Sequence, residues 1–170
     1  HVEEYKAPAN VVPIEADKKM EDMLVSGELA AAIGVSVDHP DVEVLIPDAV
    51  EAGFAALKRT GHYPINHLIV IKDELIGAYP GLATDVFNTF AEAKRLYVND
   101  LKAGKVELKG DAKMHQRVME ITGADPMPYG LAANRMNVEN LIEHAKRQKI
   151  LSGYEKIEDL FAGETLNLEG

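Results

Sequence analysis

Apolar residues follow two rhythms along this chain, and the change from one to the other divides it. Short runs without alternation come early: "NVVPIE" at 10–15, "LAAAIGV" at 29–35 and "NHLIVIK" at 66–72. The first predicts a short extended strand, the other two predict strands buried on both faces, and 66–72 is the strongest of the three. Between them the spacing is helical. Met20, Met23 and Leu24 recur before Gly27, and Val50, Phe54 and Leu57 follow Pro47 and Asp48 and stop at Gly61. A Pro-Asp opening and a Gly stop are the ordinary punctuation of a helix. From Pro80 to about Lys102 a stripe of Leu82, Val86, Phe90, Tyr97 and Leu101 predicts one long helix, and beyond it everything reads as helix. Residues 111–123 run from Asp111 to Gly123, and 137–150 align Val138, Leu141, Ile142 and Ala145. The proline-punctuated stretch "ADPMPYGLAANR" between them predicts a loop.

The early β-α-β pattern followed by helices predicts an α/β fold. Its strands are too few for a self-sufficient parallel sheet, so further strands are expected from a preceding segment or from a partner. The first residue is His1, which fits a processed chain or a piece of a longer one. Composition narrows the partners. With 18 Lys+Arg against 28 Asp+Glu the net charge is -10, which disfavours nucleic acid and anionic membrane surfaces. An anionic small molecule would need local donors, from Arg, His or helix N-termini. Cysteine is absent, which removes disulfides, thiolate nucleophiles and Cys-ligated zinc. No apolar run approaches the roughly 20 residues of a membrane span, and no signal core opens the chain.

Three stretches together are similar to the 4,5-dihydroxyphthalate decarboxylase family, whose members look like type 2 periplasmic solute-binding proteins. They are "RTGHYPINHLIVIKDEL" (59–75), "VFNTFAEAKRL" (86–96) and "DPMPYGLAANRMNVENLIEHAKRQKIL" (125–151), with "IEDLFAGETL" (157–166) resembling the family's tail. The resemblance departs at Ala30, where relatives tend to be acidic, and at His62, where a bulky apolar residue is usual. It implies a two-lobed, periplasmic-binding-protein-like fold with a ligand cleft at the hinge, present here mainly as its C-terminal half. On that expectation residues 1–60 end one lobe, 61–67 cross the hinge and 68–170 belong to the other lobe.

The chemistry expected follows from "HYPINH" at the boundary. His62 or His67 can protonate a ring carbon as carboxylate leaves, imidazole being the side chain that ordinarily titrates near neutrality. Taken alone, each reads more readily as a loop histidine bonded to backbone, and a zinc site lacks a third ligand nearby. Tyr63 and Asn66 can bond a catechol hydroxyl or carboxylate, or simply serve the turn around Pro64. Arg59 can hold a carboxylate bidentately or be a solvated residue at a helix end. Gly34 and Ser36 end the 29–35 run, where open α/β sheets contact ligands, and Ser36 also suits loop capping. Tyr129 joins them as a substrate-binding candidate, in a loop where helix capping by Asn134 is the plainer alternative. His39 reads as turn chemistry, and His115 and His144 as solvated residues on polar helix faces.

Two functions follow. The first is cofactor-independent decarboxylation of an aromatic dicarboxylate such as 4,5-dihydroxyphthalate, in the cytoplasm. The second is a solute-binding protein of an ABC-type transport system, periplasmic or extracellular, closing on a small anion without catalysis. Both are expected to need no metal and to rely on a missing N-terminal half or a second copy to complete the cleft.

Overall fold

The computed structural model describes residues 6–151 and 156–170, and it corrects the expected architecture. The chain is 51% helical and its described residues contain no strand and no sheet, so the fold is all-α and not an α/β binding-protein fold. The three runs read as strands are extended or irregular segments. A strand is held by hydrogen bonds to a neighbour, and nothing among the described residues pairs with these. None of their side chains is fully buried: Val70 is 89% exposed with Leu68 and Ile69 exposed beside it, while Leu29, Val35 and Ile71 are half-buried.

Two compact units divide the chain, His1–Ala52 and Gly53–Gly170. The first carries one short helix, α1 (Met20–Val25), and the opening of α2 (Ala49–Thr60). Around α1 the Lys18 ammonium bonds Glu28 at 2.6 Å, a contact that raises its pKa above the ordinary lysine value. The Asp48 carboxylate accepts the Glu51 N–H at 3.2 Å, which makes it the cap that the Pro-Asp pair predicts. His39 accepts the Asp41 N–H at its own Nδ1, so it is a turn residue, as its sequence reads.

The second unit is built on α4 (Leu82–Lys102), with α3 (Asp73–Ala78) and α5 (Gly110–Thr122) against it. The unit also holds α6 (Leu131–Arg147) and two 3-10 turns, Ile157–Leu160 and Gly163–Thr165. Helix ends fall close to the positions their punctuation predicts. Gly61 and Gly123 adopt φ of +68°, the left-handed turn that glycine enters without steric cost, and each donates its N–H back to the preceding turn. The buried face of α4 differs from the expected stripe. Ala83, Lys94, Val98 and Leu101 are buried, whereas Phe90 is exposed. Its N-terminus is capped from far along the chain: Glu164 Oε1 accepts the N–H groups of Ala83 and Thr84 at 2.9 and 3.3 Å. A carboxylate there satisfies orphan donors and opposes the positive end of the helix dipole.

Two clusters form the core. Phe54 and Leu57 of α2 pack with Val118 of α5, with Tyr63 and Ile121 at their edge. Leu131, Val138 and Ile142 of α6 pack with Ile157, bordered by Leu151, Phe161 and Leu166. Across the second cluster Arg135 donates to Glu158 at 2.5 Å, which holds the Glu158 carboxyl below the ordinary glutamate range. A carboxyl with a lowered folded-state pKa contributes stability above its unfolded pKa and loses it as pH falls through the folded one. In Arg135→Gln the Glu158 midpoint therefore moves up towards the ordinary value, and the acid-linked loss of stability that this pair gives the parent is absent from the variant. Coincident acid titrations of parent and variant, followed by carbon NMR of Glu158, would remove this role from Arg135.

Candidate functional site

The deepest chemistry in the second unit lies along α4. Lys94 is only 7% exposed, and a lysine is rarely buried so far unless its ammonium is paired. Its Nζ donates to Asp125 Oδ2 and stands 5.2 Å from the centroid of the Tyr129 ring, over its face. Ring and carboxylate together offset the cost of removing the charge from water.

Both partners are held by the loop between α5 and α6. Asp125 Oδ1 accepts the Met127 N–H at 2.8 Å, and Pro126 beside it is fully buried. Tyr129 exchanges backbone bonds with Gly170, its N–H donating at 2.7 Å and its carbonyl accepting at 3.3 Å, and its ring meets Phe87 edge-on. Gly130 has φ of +103°, and a Cβ there would overlap the Leu168 carbonyl oxygen, so only glycine lets the tail lie this close. Asn134, buried in the first turn of α6, donates to the carbonyls of Pro128 and Gly130 at 2.7 and 3.0 Å. The capping reading of Asn134 thus becomes a clamp on the loop, and α6 begins six residues earlier than the pattern at 137 suggests.

A cleft of about 600 Å³ opens over this pair. Lys94, Asp125 and Val98 line it, with Arg95, Lys102 and Glu169 around them. Arg95 is closed on Glu92 through two bonds of 2.7 and 2.5 Å, which lower the pKa of Glu92 and raise that of Arg95.

The residues singled out from the sequence are dispersed by comparison. Tyr129 is beneath the Lys94 ammonium. His62 and Tyr63 are half-buried just beyond α2, where the His62 N–H donates to Thr60 Oγ1 at 3.1 Å and Tyr63 packs on the Phe54 cluster. The Nδ1 of His62 is buried without a hydrogen-bond partner. Arg59, Asn66 and His67 are exposed. Gly34 and Ser36 belong to the first unit, both exposed, with Gly34 in the left-handed region at φ +79°. His115 is not solvated: it is half-buried and meets the Tyr97 hydroxyl at 2.9 Å through Nδ1, with the rings edge-on. His144 is exposed, as its helix face predicts.

Lys94 and Asp125 are absent from that set. Lys94 falls on the apolar side of α4, between Ala91 and Val98, and this register was the one available signal. Among the described residues no group of three His, Asp or Glu is placed to hold a metal ion, and no helix is long and apolar enough to cross a membrane. No protein-family model, curated protein or solved structure matches the chain.

Proposed function

We propose that this chain decarboxylates a small aromatic dicarboxylate such as 4,5-dihydroxyphthalate, with His62 as the proton donor. The observation that carries the reading is the buried, unpartnered Nδ1 of His62 on a backbone anchored to Thr60. A buried ring nitrogen without an internal partner has an unmet hydrogen bond, and a ligand that displaces its covering neighbours can meet it and exchange a proton there. The resemblance of residues 59–75, 86–96 and 125–151 to the decarboxylase family supplies the reaction class. The two-lobed fold that it also implied lends no support.

In the proposed step imidazolium gives its proton to the ring carbon that bears the leaving carboxylate. The bond from that carbon to the carboxylate breaks, carbon dioxide departs, and the electron pair of the broken bond restores the aromatic ring. His62 is left neutral and regains its proton from solvent.

Carbon dioxide release from 4,5-dihydroxyphthalate is expected with the parent chain, and His62→Ala is expected to slow it about 100-fold or more, the usual contribution of a positioned acid. His67→Ala is expected to leave the rate within about threefold, because the side chain is exposed. Full activity in His62→Ala would sink the assignment of the donor. Tight binding without turnover would replace it with the second reading, a solute-binding protein for a small anion, which the Lys94 cleft favours.

A further inference from the structure

The cleft over α4 shares no residue with 61–67 and has no part in the proton transfer. We propose that it is a binding site for a small organic carboxylate, anchored on the Lys94 ammonium.

An ammonium carries three N–H donors. Asp125 Oδ2 takes one and the Tyr129 ring face lies over the group, and no second oxygen among the described residues accepts from Nζ. Asp125 cannot swing to give its other oxygen, because Oδ1 is committed to the Met127 N–H. Lys94 and Asp125 both line an open cleft of about 600 Å³, within the range of small-molecule sites, beside which this cation keeps unused donor capacity. An oxygen acceptor from a ligand satisfies that capacity, and a negatively charged one forms the stronger bond.

The rest of the lining selects among anions. Three cationic side chains (Lys94, Arg95, Lys102) meet three anionic ones (Glu92, Asp125, Glu169), so the side chains of the lining carry no surplus positive charge and suit a phosphate dianion poorly. Arg95 and Glu92 neutralise each other. Lys102, at the rim, has no ion pair or hydrogen bond with another described side chain and offers a second positive group to the ligand. Val98 and Ala91 supply apolar wall between them. One carboxylate on an apolar body, such as benzoate, matches this arrangement.

Titration of the intact chain with benzoate, read by calorimetry and by the 15N signal of the Lys94 ammonium, tests the site. Benzoate is expected to shift that signal and to bind, with inorganic phosphate much weaker. Lys94→Met should weaken binding by about tenfold or more, the worth of a charged hydrogen bond. Asp125→Asn retains the acceptor for Met127 but removes the competing charge, so it should bind benzoate several-fold more tightly. An unmoved Lys94 signal under saturating benzoate overturns the proposal even if the Lys94 variant does not fold. So does a folded Lys94→Met that binds as the parent does, or phosphate bound in preference to benzoate. Benzoate binding at Lys94 by a parent chain that releases no carbon dioxide from 4,5-dihydroxyphthalate supports this site and counts only against the decarboxylase.

Discussion

Asp125→Ala is expected to destabilise the second unit by about 3 kcal/mol, a fall of roughly 10 °C in the thermal midpoint. The reason is asymmetric. The Lys94 side chain is 6% exposed, so losing its carboxylate leaves a charge that water cannot readily reach. Asp125 itself is one-third exposed, which places the cost at the low end of the range for broken buried pairs. Asp125→Asn should fall between parent and Ala, because it still accepts from Met127. The double variant Lys94→Met, Asp125→Leu should recover most of the loss, since apolar replacement of a whole buried pair is often neutral or better. Calorimetry on the four proteins decides the matter. An Asp125→Ala variant within about 0.5 kcal/mol of the parent would mean that water solvates the ammonium through the cleft.

A loss of about 3 kcal/mol is likewise expected for Leu57→Ala, as for other fully buried leucines. Leu57 is 3% exposed and Val118, facing it from α5, is 2% exposed, so truncation opens a cavity with no neighbour free to fill it. Val70→Ala is the informative contrast. The notion of a central strand at 66–72 demands a cost of about 1 kcal/mol or more there, whereas an exposed Val70 predicts a change within about 0.5 kcal/mol. Urea titrations of both variants therefore examine the core and the absence of a sheet together.

The candidate site divides in the same way as the fold. His62 and Tyr129 were recognisable because titratable and aromatic side chains stand out in loops beside proline and glycine. Lys94 and Asp125 were not, because a lysine on a helix and an aspartate before a proline look solvated until something 31 residues away is known to meet them. His115 misleads for the same reason: Lys113 and Gln116 give its face a polar appearance, and only α4 brings Tyr97 to it.

Helices α2, α4 and α5 were legible because their hydrogen bonds close within four residues, so Asp48, Gly61 and Gly123 mark their ends with no knowledge of the rest. Strands have no such autonomy. "NHLIVIK" has the composition of a buried strand, but the bonds that would make it one require a neighbouring chain segment, and none of the described residues supplies it. Which face of α4 turns inward, that its lysine is nearly buried, and that a cleft lies over it were decided by the loop at 125–130 and the tail at 168–170. Those contacts join residues distant in the chain, and periodicity along one helix carries no information about them.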